Sequence, residues 1–273
     1  MMKINQHGIV ESLHVQCNAG NMFLNYFLYY IDGMLVDSGP KSSKDTILPF
    51  LETKEINTVA LTHFHEDHTG NAAWLQREKG ARIYIHPMSI EICRRKGEYP
   101  SYRHEFWGSR EGFDAAAIRT NVQSDHYTWE AIHTPGHSRD HLVFINEELG
   151  ILFSGDLFVT PKPKISMWQE SIPTVMDSIR TVLAYDVKEM YCAHAGYIPN
   201  GREMLEKKLN YLEETYEEIH SLHDKGYTVE EIDERRYPTA SPLKIISNKE
   251  WDSVHFVRSI VEDEPSLGRH VKS

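Results

Sequence analysis

The pattern of apolar and polar positions divides the chain into two unlike parts. From Phe23 to Ala193, short apolar runs of strand length alternate with helix-like stretches, each ended by a turn. Phe23–Ile31 and Met34–Val36 read as two strands joined at Asp32-Gly33, a common hairpin dipeptide, and Asp37-Ser38-Gly39-Pro40 ends the second. The pattern then predicts a helix over 43–53, a buried strand over 58–61, a helix over 71–79 stopped by Gly80, and a strand over 82–86 halted by Pro87. Strands return over 129–133, 142–145 and 151–154, followed by a helix over 174–184 and a strand over 190–193. Strand, helix, strand is the rhythm of an α/β layer. Residues 88–125 break it: they are rich in charge and aromatics (Tyr99, Tyr102, Phe106, Trp107, Phe113), have neither period, and read as an insertion.

After Gly201 the period changes. Leu205, Leu209, Leu212, Tyr216, Ile219 and Leu222 recur every three or four residues along a helix ending at Gly226. Thr228–Glu231 and Ser247–Glu250 each match a capping box and predict two further helix starts. The expected organisation is therefore a first domain over 1–201 and a helical C-terminal module over 202–273.

Composition narrows the class. At 273 residues the chain suits one large domain with a smaller appendage. Its 40 acidic against 29 basic residues, a formal charge of −11, argue against nucleic acid or an anionic membrane as partner. In residues 201–273, 16 acidic against 11 basic side chains, a net −5, disfavour a DNA-binding role for the helices, so packing or a homodimer contact is expected of them. Three widely spaced cysteines, Cys17, Cys93 and Cys192, supply neither a disulfide framework nor a thiolate zinc ribbon. The N-terminal residues lack the features of a signal peptide, and the most apolar stretch, 22–31, is about half of the ~20 residues a membrane span needs. A soluble, cytoplasmic protein is the expectation. The 16 histidines require another explanation.

Directly after the apolar strand at 58–61 stands Thr62-His63-Phe64-His65-Glu66-Asp67-His68-Thr69-Gly70. Two-residue alternation points His63 and His65 the same way, while Asp67 and His68, opening the next helix, face a second point nearby. Two metal positions follow from this. Three later turns, each after a predicted strand, offer further ligands: Gly136-His137, Gly155-Asp156 and Cys192-Ala193-His194. Binding groups on loops at the carboxyl ends of strands are usual in α/β proteins.

These four segments, in this order, resemble the metallo-β-lactamase superfamily over roughly residues 10–200. The resemblance implies a four-layered αββα sandwich. It implies one divalent metal on His63, His65 and His137, a second on Asp67, His68 and His194, and Asp156 bridging, with Asp67 and Asp156 as catalytic groups. Imidazole and carboxylate donors without thiolate suit zinc first, with iron or manganese open. It further implies a hydroxide formed between the cations near neutral pH, and hydrolysis of an ester, thioester or lactone of a small molecule. Asp37 matches the family's first motif, expected to brace the metal-binding loop, and His141 is a second bracing candidate. Arg139 and Tyr197, just past ligand positions, are candidates for substrate contact, and Lys162 and Lys164 for attracting an acidic substrate.

Only 18 residues separate His137 from Asp156 and 37 separate Asp156 from His194, leaving no room for the large domain that one nuclease branch inserts there. His65 stands where flavodiiron oxygen reductases have Glu. The chain is most similar to the hydrolases near glyoxalase II and the lactonases, although the run after Asp156 lacks a Gly-Cys-rich continuation. A mononuclear iron persulfide dioxygenase, a phosphodiesterase, and a binding protein that uses its C-terminal helices stay open as alternatives.

Overall fold

The structure, a computed structural model, describes residues 2–19 and 22–262. The last part of the predicted C-terminal module, 263–273, lies outside the described residues.

The first sheet has seven strands in chain order: β1 (Met2–His7), β2 (Val10–Ala19), β3 (Met22–Ile31), β4 (Met34–Val36), β5 (Thr58–Ala60), β6 (Arg82–Ile85) and β7 (Ala116–Ala117). β1 to β4 pair antiparallel and β4 to β7 parallel. The parallel half is crossed by α1 (Lys44–Glu52), by α2 (Glu66–Thr69) with α3 (Ala72–Lys79), and by α4 (Ile90–Cys93) with α5 (Ser101–Trp107). The second sheet begins with β8 (Asn121–Gln123), β9 (Thr128–His133), β10 (Leu142–Asn146) and β11 (Ile151–Gly155). A detour through β12 (Ser166–Met167) and α6 (Ile172–Val182) leads to β13 (Glu189–Cys192), parallel to β11, and β14 (Gly196–Ile198). Then follow α7 (Gly201–Asp224), α8 (Val229–Arg236), α9 (Pro242–Ile246), β15 (Trp251–Asp252) and α10 (Ser253–Val261).

The central strands are buried on both faces, which is why they read as apolar runs rather than as clean alternation. In β10, Leu142 and Phe144 face the other sheet and, with Trp129 and Phe153 of their own sheet, pack with that sheet's Tyr29, Ile31 and Met34. Val143 and Ile145 face the helices, packing with Val175 and Ile179 of α6, Leu205, Leu212 and Ile219 of α7, and Phe256 and Ile260 of α10. On the far side of the first sheet, Leu28, Leu35 and Val59 pack against Ile47 and Phe50 of α1 and Leu75 of α3. The order of layers is helix, sheet, sheet, helix. The C-terminal helices share the core of the second helical layer, and β15 pairs with β12.

Three features differ from the sequence expectation. The β1–β2 hairpin was not foreseen: β1 is an edge strand with little burial, though Leu13, Val15 and Cys17 of β2 alternate inward. The end of the segment read as an insertion supplies β7 and β8, one to each sheet. Ser247 does not start a helix; it ends α9, its hydroxyl accepts the Trp251 N–H at 2.9 Å, and Asp252 caps α10 instead. The Thr228 box is present, with both reciprocal hydrogen bonds to Glu231. Thr228→Ala should therefore cost about 1 kcal/mol in chemical denaturation.

Candidate metal centre

Every candidate ligand lies just past the carboxyl end of a strand: His63 and His65 in the turn after β5, Asp67 and His68 in α2 that follows it, His137 after β9, Asp156 after β11 and His194 after β13. The turn after β4 organises the first group. Asp37 adopts a left-handed φ of 60°, and its carboxylate accepts the Thr62 N–H at 2.8 Å and the Thr62 hydroxyl. Its Oδ2 also meets His68 Nδ1 at 2.8 Å.

These contacts fix the ring tautomers. The Thr62 hydroxyl, having spent its proton on Asp37, accepts from His63 Nδ1 at 3.0 Å. His68 Nδ1 donates to Asp37, His194 Nδ1 donates to the Asn25 carbonyl at 2.7 Å, and His137 Nδ1 faces Glu170 Oε2 at 3.4 Å. In each ring the outer nitrogen has an acceptor and Nε2 is the atom that faces inward. This is how metal-binding imidazoles are held.

The inward atoms form two adjoining groups. His65 Nδ1 lies 2.9 Å from His63 Nε2 and 3.1 Å from His137 Nε2. His194 Nε2 lies 3.4 Å from Asp67 Oδ2 and 3.3 Å from Asp156 Oδ2; His68 Nε2 lies 3.4 Å from Asp156 Oδ1. Asp156 Oδ2 is also 3.4 Å from His137 Nε2, so this carboxylate touches both groups. A tetrahedral ion with ligand bonds of about 2.0–2.1 Å separates its donors by roughly 3.3–3.4 Å, close to the 3.3–3.7 Å found between donors of the second group and Asp156. His68 Nε2 and Asp156 Oδ1 are buried without a hydrogen-bond partner, and such atoms are costly unless something binds them. The residues fit one or two bound cations.

The electrostatics agree. Burial opposes protonation of His68, yet Asp37, Asp67 and Asp156 raise it well above the usual imidazole range; His194 is raised likewise, against burial, by Asp156 and Asp67. The second group thus strongly favours positive charge. Burial and the neighbouring rings push His63 and His65 down to neutrality. Burial would raise Asp67 and Asp156, but the histidines outweigh it and hold both well below the carboxylate range.

The centre opens on a cavity of about 610 Å³ lined by Phe23, Phe106, Trp107, Tyr237, Leu243 and Trp251 among others, so both the 88–125 segment and the C-terminal helices shape it. Lys162 and Lys164 lie on its lining; Trp168 does not. His141 is buried and accepts the Asp156 N–H at 3.0 Å through Nε2, while its Nδ1 meets Thr134 at 2.8 Å. It braces the Asp156 turn from outside. Arg139 and Tyr197 are not brought to the site: the Arg139 side chain is exposed, and the Tyr197 ring stacks on His7 at 3.9 Å. Neither lines the cavity. Cys192 is buried, with its thiol on the Gly155 carbonyl at 3.5 Å. Glu170 and Asn25 were missed because each acts through a partner remote in sequence. Asp37→Asn should weaken metal binding about 10- to 100-fold, measured by competition with a chromophoric chelator.

Comparison with known proteins agrees with this arrangement. The sequence profile described as "Metallo-beta-lactamase superfamily" matches residues 29–194. The chain is 30% identical over 209 residues to "Lactamase-like protein nscB" of Arthroderma benhamiae, covering 72% of this chain and 42% of that protein. It is 26% identical over 202 residues to "Atrochrysone carboxyl ACP thioesterase" of Aspergillus fumigatus, covering 71% of this chain and 58% of that one. The chain therefore spans about half the length of these curated relatives. Among solved structures, a beta-lactamase domain protein from Burkholderia ambifaria superposes with a TM-score of 0.68 at 14% identity, covering 95% of this chain and 87% of the other.

Proposed function

The chain belongs to the metallo-beta-lactamase superfamily, and from that premise we propose that it is a dinuclear metal-dependent hydrolase of small-molecule ester-type bonds, with thioesters as the first substrate class. The observation that carries the reading is Asp156, whose carboxylate meets two groups of inward-facing histidines. His63, His65 and His137 would hold one cation, and Asp67, His68 and His194 the other. Zinc is the first expectation for such donors, with iron or manganese as candidates. When bound, the cations supply a nucleophilic hydroxide at neutral pH and an electrophilic grip on the carbonyl oxygen.

The chain's own residues set the conditions. Asp37 and Thr62 lock His63 and His68, Glu170 orients His137, and His141 holds the turn that presents Asp156. Asp67 and Asp156 are held ionised, so neither is suited to protonate a leaving group. A thiolate, with a parent thiol pKa near ~8.5, leaves without such help, whereas an amide nitrogen does not. Two relatives named atrochrysone carboxyl ACP thioesterases support the same class. The short separations of His137, Asp156 and His194 support a place near glyoxalase II and the lactonases. Cys17, Cys93 and Cys192 are buried free thiols, which suits a reducing, cytoplasmic setting. Among the described residues no helix is long and apolar enough to cross a membrane.

The test is a panel of a thioester, an ester, a lactone and bis-(p-nitrophenyl) phosphate with defined zinc, iron and manganese loadings. Thioester turnover abolished by a chelator and restored by metal is expected. No hydrolysis under any loading, or oxygen uptake with a persulfide instead, would reject the reading.

A further inference from the structure

Lys208 lies in the middle of α7, in register with the Leu205, Leu209 and Leu212 face, where an apolar side chain would serve packing. Its side chain is instead a cation, 5% exposed. Its partners among the described residues are two peptide carbonyls, Leu157 O and Phe158 O, each 2.7 Å from Nζ. An ammonium has three donors, so one is left over. Burial lowers its pKa to about 8, and the group stays mostly protonated at neutral pH. Glu170 and Asp156 lie near enough to favour its charge, but neither hydrogen-bonds it, and a bound anion would offset the remaining cost of burial.

Lys208 lines the same cavity as the metal centre, as do Lys162 and Lys164. Lys162 and Lys164 are exposed, and Nζ of Lys162 lies 5.9 Å from the Tyr211 ring centroid, over α7. The cavity's acidic groups are already engaged: Asp67 and Asp156 face His68 and His194, and Glu170 faces His137. Arg103, the other cation on the lining, is occupied by Glu66 and Glu250. One end of the cavity is therefore the metal centre, the walls are aromatic, and a buried, incompletely partnered cation remains.

We propose that Lys208 is the anchor of a carboxylate-binding subsite, so that the substrate is an acyl compound carrying an acidic group on its acyl side. The inference rests on the hydrolase reading and narrows its substrate class. Lys162 and Lys164 draw the anion to the mouth, and Lys208 receives it inside, setting the distance between the acid and the scissile carbonyl.

The test compares the succinyl thioester of N-acetylcysteamine with its methyl-ester counterpart on wild type, Lys208→Met and Lys208→Gln. Gln keeps donors for the two carbonyls without the charge, and so serves if Met disturbs folding. Wild type is expected to prefer the acid, and both variants to lose about 10- to 100-fold in kcat/KM for the acid while the methyl ester changes little and metal content is unchanged. An equal fall for both substrates would make Lys208 a clamp on the 157–158 turn and overturn the inference, as would a wild type with no preference. Calorimetry of a non-hydrolysable succinyl thioether analogue on the metal-free protein adds a readout independent of turnover. Binding by wild type that weakens in both variants is expected; absent or unchanged binding overturns the subsite. Failure of every thioester to react, with binding intact, would reject the hydrolase reading alone.

Discussion

Asp67→Ala or His68→Ala should lower thioester hydrolysis by roughly three orders of magnitude and remove about one equivalent of bound metal, because both residues belong to one of two adjoining ligand groups. His63, His65 and His137 approach one another without help from Asp67, so the first position should persist in Asp67→Ala. His68 also satisfies Asp37, and its loss should loosen the Thr62 turn that orients His63, whereas Asp67→Ala leaves that turn intact. Elemental analysis and steady-state rates on the two variants check this together. Full activity with one equivalent lost would show that the second position is not used in the reaction.

Arg103→Ala should destabilise the fold by about 3–5 kcal/mol, since it strips a partner from a buried carboxylate. The Arg103 and Glu66 side chains are 11% and 4% exposed, and the guanidinium meets both Glu66 oxygens, with a third contact to Glu250 at 2.9 Å. Burial pushes the Glu66 carboxyl up while Arg103 opposes it, so Glu66 without Arg103 has either to take a proton or to remain a buried, unpaired charge. The same guanidinium ties α2, which follows the ligand turn, to α5 and to the C-terminal module. Denaturant unfolding of Arg103→Ala, Glu66→Gln and the double variant measures the pair. The double variant should lose less than the sum of the singles. Strict additivity would mean the contact contributes no coupling.

The residues from His63 to His68 were legible because they follow one strand directly, where alternation sets His63 and His65 and the opening of α2 sets Asp67 and His68. Gly136-His137 and Gly155-Asp156 carried the same signature of a turn after an apolar run. The apolar runs and the change of period after Gly201 gave an α/β layer followed by a helical module; the αββα layering came from the family resemblance carried by the four ligand segments. What was not legible depends on partners far apart in the chain. Glu170 reaches His137 and Asn25 reaches His194 through tertiary packing that leaves no local mark. Arg139 and Tyr197 show the reverse error: closeness in sequence to a ligand does not set direction in a turn or an edge strand, and both side chains leave the cavity. Ser247 matched a capping pattern, but the chain used Asp252, five residues on, because β15 first pairs with β12.

The central claim is that two cations share Asp156. Anomalous diffraction from crystals grown with saturating zinc tests it most directly. The account predicts two peaks roughly 3.5–4 Å apart, the spacing of shared two-metal sites. One should lie among His63, His65 and His137 and the other among Asp67, His68 and His194, both within coordination distance of Asp156. A single peak at saturating metal, or two peaks with Asp156 bound to neither, would contradict it.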